Sequence, residues 1–358
     1  MAILFSPLPI RGITLKNRIA VSPMCMYSSQ DGFATDWHLV HLGSRAVGGA
    51  GLIIFEATAV VPEGRITPHD LGIWKDEHID GLQRITRFIT EQGAVPGIQL
   101  AHAGRKASHH RPWDGGTAIA PDEASGWQTV APSAIPFSEE TPVPHELTLQ
   151  EIDAFKDAFE AAAVRSLKAG FQVIEIHAAH GYLLHEFYSL LSNQRTDQYG
   201  GSFENRIRLL LEVTERVRQV WPEELPLLVR ISATDWTEGG WTGDDSVALA
   251  KELKKRGVDL IDCSTGANVP QATIPVGPGY QVPFAQQVKQ QADILTGAVG
   301  VITEAQQAEE ILANGQADIV LLARELLRDP YFPMHASLAL DDEHPWPLQY
   351  ERAKPRRR

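Results

Sequence analysis

The segment His177-Ala178-Ala179-His180-Gly181-Tyr182 places two imidazoles and a phenol at the end of the apolar run Val173-Ile174-Glu175-Ile176. Side by side, two imidazoles make a hydrogen-bond clamp for an oxygen that gains negative charge, and a phenol just beyond them is suited to deliver a proton. A polar, turn-rich stretch from Asn193 to Arg206 follows and leads into the next helix. Gln99 and Arg230 are polar interruptions of other apolar runs. A buried arginine must be paired or face a ligand. It is either half of a structural salt bridge or a cationic donor to an electron-rich heterocycle. Gln99 offers a donor and an acceptor and suits the imide edge of such a ring. Backbone near Gly300 and Ala323, with the side chain of Arg324, suits a terminal phosphate. A phosphate at one end and an imide-bearing ring at the other describe flavin mononucleotide (FMN).

These residues need a scaffold, and one pattern recurs: a helical stretch, a glycine, then a β-branched run. It is seen at Leu52–Glu56, Val95–Leu100, Phe171–Ile176, Val258–Asp262 and Ala317–Leu322. Arg18–Val21, Leu227–Ile231 and Ile294–Val299 bring the strands to eight. Thr148-x-x-Glu151 and Thr303-x-x-Gln306 read as capping boxes that open helices. Continuous apolar runs, rather than alternating ones, fit parallel strands covered on both faces. Eight such units predict the α/β class and a single (β/α)8 TIM barrel, with function at the C-terminal ends of its strands. A doubly wound sheet would carry a glycine fingerprint after its first strand. Gly48-Gly49-Ala50-Gly51 instead precedes a strand and reads as a helix end. Residues 1–17 read as an N-terminal β-hairpin closing the lower mouth. Roughly seventy residues separate the third and fourth barrel strands, far beyond the usual loop. Residues 103–147, with Trp113, Trp127 and several prolines, therefore read as a semi-rigid lid insertion. The expected organisation is one domain, 1–358, with a C-terminal tail at 349–358.

Composition narrows the classes. The chain of 358 residues has a net charge of −13 and no broad basic stripe, which argues against nucleic acid as the main partner. Five basic residues gather at the end (Arg352, Lys354, Arg356, Arg357, Arg358), a solvated tail and a poor membrane anchor alone. Cys25 and Cys263 are the only cysteines, so neither a disulfide framework nor a cysteine-ligated iron–sulfur cluster is expected. With no leader pattern and no long apolar run, the expected location is cytoplasmic, away from membranes. Read in order, the strand ends hold almost no carboxylate, which disfavours two-carboxylate glycosidase chemistry and metal binding through hard oxygen ligands. A zinc site from His102, His177 and His180 has the ligand count, although no strand-end aspartate accompanies it. Two rival classes remain beside a flavin enzyme: a metal-dependent hydrolase or lyase barrel, and a non-catalytic flavin-binding protein.

From Leu4 to Arg352 the chain resembles the Old Yellow Enzyme family of FMN-dependent ene-reductases, in its thermophilic-like, xenobiotic-reductase branch. The resemblance rests on Lys16-Asn17-Arg18-Ile19, Ser22-Pro23-Met24-Cys25-Met26-Tyr27, Gln99-Leu100-Ala101-His102-Ala103-Gly104-Arg105-Lys106, His177–Tyr182 and Arg324-Glu325-Leu326-Leu327-Arg328-Asp329-Pro330. It implies FMN held by Ser22, Pro23, Met24, Cys25, Ala57, Gln99, Arg230, Gly300, Ala323 and Arg324. It implies His177 and His180 as donors to a substrate carbonyl, Tyr182 as proton donor, and Tyr27 along the substrate pocket. Cys25 would tune the flavin where the founding branch carries threonine; on its own, a buried cysteine reads as inert packing. The implied activity is that of an NADPH dehydrogenase. NADPH or NADH gives a hydride to the flavin, and an activated alkene such as an α,β-unsaturated carbonyl then receives it. No metal is implied. Gln349-Tyr350-Glu351-Arg352 implies a homo-oligomer, dimer or tetramer, in which Arg352 reaches a neighbouring subunit's site. Two departures stand out. Ala323 occupies a position where the family usually has glycine, and the segment from His109 to Trp127 is longer than in the shorter members. Substrate preference therefore does not carry over.

Overall fold

The computed structural model describes residues 2–355; Met1 and the tail residues Arg356, Arg357 and Arg358 lie outside the described residues. A hairpin comes first, β1 (Leu8–Ile10) antiparallel to β2 (Ile13–Leu15), with Leu8 opposite Leu15. Then follow β3 (Ile19–Val21), β4 (Leu52–Ala59) and β5 (Val95–Ala101). Beyond a separate parallel pair, β6 (Val130–Ala131) and β7 (His145–Glu146), come β8 (Val173–Ala178), β9 (Leu227–Ser232), β10 (Leu260–Ser264), β11 (Leu295–Ala298) and β12 (Ile319–Leu322). Leaving out β6 and β7, the strands from β3 to β12 pair in parallel in chain order, and β12 returns to β3 to close the barrel. The helices are α1 (Asp36–Val47), α2 (Ile79–Glu91), α3 (Leu149–Lys168), α4 (Leu183–Tyr188), α5 (Phe203–Val220), α6 (Gly243–Lys255), α7 (Val282–Ala292), α8 (Ala305–Ala313), α9 (Arg324–Arg328) and α10 (Phe332–Ala339).

Two apolar clusters explain why the strands read as unbroken runs. Outward residues such as Ile53, Phe55, Ile174, Val229 and Ile261 pack with Leu82, Phe159, Leu210 and Leu249 of the helices. Inward residues Ala20, Leu52, Ile54, Val95, Val173, Leu228, Leu260, Ile319 and Leu321 form a second cluster with Leu8, Ile10 and Leu15 of the hairpin. The hairpin thus closes the N-terminal mouth, and the lower half of the barrel interior is filled with hydrocarbon. Functional side chains are left to the upper half, as expected for this fold.

Local signals fare unevenly. The Thr148 hydroxyl accepts the Glu151 N–H at 3.2 Å while the Glu151 carboxylate accepts the Thr148 N–H at 2.8 Å, the reciprocal cap expected of that sequence. The expected box at Thr303 does not form. Helix α8 is capped one residue later, at Glu304, and Gln307 rather than Gln306 reaches back to the Thr303 N–H at 3.1 Å. Three expected strands also begin two residues late, at Val173, Leu260 and Ile319. Phe171, Val258 and Ala317 are buried in the helix-to-strand turns, Phe171 edge-on to Phe55 with ring centres 4.7 Å apart. Among the described residues, no helix is long and apolar enough to cross a membrane.

Candidate active site

Immediately above the hydrocarbon floor, adjacent strands contribute Gln99 (β5), Glu175 (β8), Arg230 (β9) and Asp262 (β10), all at most 4 % exposed. Gln99 is level with Glu175, and Arg230 with Asp262. Gln99 Nε2 donates to Glu175 Oε1 at 2.7 Å. Arg230 Nε donates to Asp262 Oδ2 at 2.5 Å, and Nη2 to the Ser22 hydroxyl at 2.7 Å. The expectation that the strand ends hold almost no carboxylate is therefore corrected. In a run apolar on both faces, nothing in the sequence marks which polar residue points inward, and Glu175 and Asp262 both do. Arg230 is half of a salt bridge and also lines the cavity described below. Burial opposes its charge, but Asp262 and Glu175 outweigh burial and hold the guanidinium above its usual range.

One level higher stand the imidazoles. His177 is the penultimate residue of β8, with its ring 5.2 Å from that of His180 and 4.9 Å from that of Tyr182, both edge-on. His180 adopts φ +61° and Gly181 φ +71°. These left-handed residues turn the chain back over the barrel and set Tyr182 at the N-cap of α4. The turn is pinned by the His180 N–H to the Ser232 hydroxyl at 2.9 Å and the Gly181 N–H to His185 Nδ1 at 2.9 Å. A Cβ on Gly181 would lie 2.3 Å from the Ala267 carbonyl oxygen. Gly181→Ala is therefore expected to cost about 1–3 kcal/mol, read as a lower thermal midpoint, and to displace Tyr182. Burial, then the neighbouring positive groups, pushes both imidazoles well below their usual range. Each is neutral and carries one N–H. Burial raises the Tyr182 phenol well above its usual range, so it stays protonated.

A cavity of about 570 Å³ opens beside these residues. Ser22, Pro23, His180 and Arg230 line one part; Gly300, Ala323 and Arg324 line another. At Gly300, with φ +121°, a Cβ would meet Gln281 Nε2 at 2.9 Å, so this wall requires glycine. Cys25 and Tyr27 lie on the β3–β4 side. Burial, then Asp70 and Glu56, raises the Cys25 thiol well above the usual range, partly offset by the Ala57 backbone and the Tyr27 side chain. Both residues bear electrostatically on Tyr182, which joins them to the imidazole cluster. The Tyr27 ring meets Trp113 of the 103–147 segment edge-on at 5.8 Å. Met24 packs half-buried on the outer core, and Ala57 is level with Gln99 across the β4–β5 pair. Arg352 is the expected site residue that is not brought to this face. It is exposed on a 3₁₀ turn, Leu348–Ala353, and does not line the cavity.

Several participants carried no signal as isolated letters. Lys106 Nζ donates to the His180 and Ala267 carbonyls at 2.8 and 3.0 Å and sits 5.3 Å above the Tyr182 ring; burial pulls it down to about 8. Ser264 Oγ lies 2.7 Å from His180 Nε2 and donates to Gln281 Oε1 at 3.3 Å. Ser264 follows Asp262 by two residues and shares its inward phase, which is the one clue to it. Among the described residues, no group of three or more His, Cys, Asp or Glu could hold a metal ion, and His102 Nδ1 accepts the Gly104 N–H at 3.0 Å.

A closed parallel barrel with two neutral imidazoles, a protonated phenol and a buried arginine at its C-terminal face has the architecture of a barrel enzyme with its site at the strand ends. The chain belongs to the NADH:flavin oxidoreductase / NADH oxidase family, which it matches over residues 3–343. It is 54 % identical over 351 residues to an NADPH dehydrogenase of Bacillus subtilis (strain 168), covering 98 % of each chain. Among solved structures it resembles morphinone reductase, with TM-score 0.80 and 28 % identity over 94 % of this chain and 90 % of that one. It also resembles the old yellow enzyme homologue from Zymomonas mobilis, with TM-score 0.76 and 29 % identity over 96 % of this chain and 94 % of that one.

Proposed function

We propose that this protein is an FMN-dependent NAD(P)H oxidoreductase, an ene-reductase acting on the C=C bond of α,β-unsaturated carbonyls and similar activated alkenes. The observation that carries this reading is the His177–His180–Tyr182 cluster beside a cavity with Arg230 in one wall and Gly300, Ala323 and Arg324 in another. The residues fit the cofactor on their chemistry. A buried guanidinium suits the electron-rich end of a flavin ring, and a glycine wall beside Arg324 suits a phosphate. Ser22, Pro23, Met24, Cys25, Ala57 and Gln99 would complete the ring site, and Ala323 lines the cavity. Held there, FMN would supply the hydride chemistry that links NAD(P)H to the β-carbon of the alkene.

The remaining steps belong to the chain's own residues. His177 and His180, both neutral, hold the substrate carbonyl oxygen as charge develops on it, the His180 Nε2–H turning to it from Ser264 Oγ at 2.7 Å. Tyr182, protonated across the working pH range, delivers a proton to the α-carbon. Tyr27 lines the substrate side, and Lys106 braces the His180 turn beneath. Because the clamp acts on charge that appears in the transition state, removing one donor acts chiefly on turnover. His180→Ala is expected to lower kcat for alkene reduction by about 10²–10³-fold, measured by steady-state kinetics with 2-cyclohexenone.

Residues 103–147 act as the lid. Support comes from the Trp113–Tyr27 contact and from Arg65, held between the rings of Trp74 and Trp127 at 5.2 and 5.1 Å. The enzyme works in the cytoplasm as a homo-oligomer, with Arg352 completing a neighbouring subunit's site. Exposed Leu348 and Tyr350 beside Arg352 favour burial against a second copy. The test of the activity is anaerobic NADPH oxidation by 2-cyclohexenone with cyclohexanone identified as product. NADPH consumption that requires oxygen and yields no saturated ketone would contradict it.

A further inference from the structure

Two buried oxygens beneath the ring site have no hydrogen-bond donor among the described residues: Glu175 Oε2 and Asp262 Oδ1. The other oxygen of each carboxyl is occupied, by Gln99 Nε2 at 2.7 Å and by Arg230 Nε at 2.5 Å. The two carboxyls flank the same guanidinium nitrogen, Arg230 Nε, from the strands on either side of β9, Asp262 at 2.5 Å and Glu175 at 3.9 Å. Orphaned acceptors on fully buried carboxyls are costly, and two neighbouring ionised carboxylates there repel. A single proton removes both problems at once.

We infer that Glu175 and Asp262 hold one proton between them, carried on Glu175 Oε2 and donated to Asp262 Oδ1, and that this proton leaves Arg230 its full pull on the FMN ring. Glu175 is then a positioning residue that acts through Arg230. Which carboxyl holds the proton follows from distance. Asp262 meets the Arg230 Nε at 2.5 Å, whereas Glu175 stands 3.9 Å from it. The ion pair therefore belongs to Asp262. Burial, then the charge of Asp262, raises the Glu175 carboxyl, in the same direction as the geometry. Charge counting gives the consequence. With the proton, Arg230, Asp262 and Glu175 sum to zero; without it they sum to −1, against any negative charge gathering on the ring above. The groups that face Glu175 are Gln99 from β5, Arg230 from β9 and Asp262 from β10, and His177 two residues along its own strand is held neutral by burial.

The proton is read from the chain alone; its effect on FMN rests on the function proposed above. The direct test is an infrared difference spectrum, at neutral pH, between the full-length protein and Glu175→Gln. The expected loss is a protonated-carboxyl C=O band that shifts in heavy water; loss of an ionised-carboxylate band instead would overturn the inference. Should Glu175→Gln fail to fold, Asp262→Asn in protein carrying ¹³C-labelled glutamate decides. With a neutral amide in place of the carboxylate, Arg230 loses its counter-ion, so Glu175 ionises to supply one and the labelled C=O band weakens, whereas an unchanged band contradicts the shared proton. For the second half, the midpoint potential of the holoenzyme is followed against pH. Loss of the proton above neutrality should weaken binding of reduced relative to oxidised FMN by on the order of ten-fold, or ~30 mV for a two-electron couple. The same excess drop in Glu175→Gln would overturn the link to Arg230. A colourless protein that still shows the protonated band would overturn the proposed function and leave the proton standing.

Discussion

Tyr182→Phe is expected to slow alkene reduction by about 10²–10⁴-fold while FMN reduction by NADPH stays near the wild-type rate. The phenol is the one proton donor of the cluster, and burial keeps it protonated far above neutral pH. Phenylalanine preserves the ring that packs edge-on to His177 at 4.9 Å and beneath Lys106 at 5.3 Å, so the turn over the barrel survives. Hydride transfer from NAD(P)H needs no proton from this face. Stopped-flow mixing separates the half-reactions: a decay confined to the alkene step is the expected result, and equal losses in both would remove Tyr182 from its assigned role.

Arg230→Ala is expected to be the most disruptive single change at the site. The guanidinium bonds Asp262 at 2.5 Å and Ser22 at 2.7 Å and stands 3.9 Å from Glu175. Removing one partner of a buried ion pair leaves an uncompensated charge, at a cost of about 3–5 kcal/mol. The thermal midpoint should fall and FMN should be lost on gel filtration. Restoring part of the stability with Asp262→Asn in the same chain, without restoring FMN, would separate the structural share of Arg230 from its share in cofactor binding. A variant that keeps its FMN and an unchanged flavin potential would contradict the placement of Arg230 against the ring.

The fold was legible because each barrel unit carries its own punctuation: a glycine-ended helix, then an apolar run. Boundaries slipped where an apolar residue serves the turn instead of the ladder, as at Phe171, Val258 and Ala317. At the site, His177, His180 and Tyr182 were legible because they are contiguous and one strand end delivers all three. Glu175 and Asp262 were hidden by the same continuous hydrophobicity that marked the barrel. When both faces of a strand are apolar, the period of two that separates inside from outside disappears. Lys106 and Ser264 reach His180, and Gln281 reaches Ser264, only through closure of the chain in space. Arg352 lies on an exposed 3₁₀ turn away from this cavity, so its expected role is played at a second subunit's site.

The most direct measurement is the visible spectrum of the purified protein titrated with a simple para-substituted phenol. FMN absorption together with a new long-wavelength charge-transfer band, lost in His177→Ala and His180→Ala, is the expected result: it requires a flavin on this face with an anion-binding histidine pair stacked over it. A colourless protein that cannot be reconstituted with FMN would contradict the assignment of the cavity. FMN absorption with no phenolate band would contradict the histidine clamp.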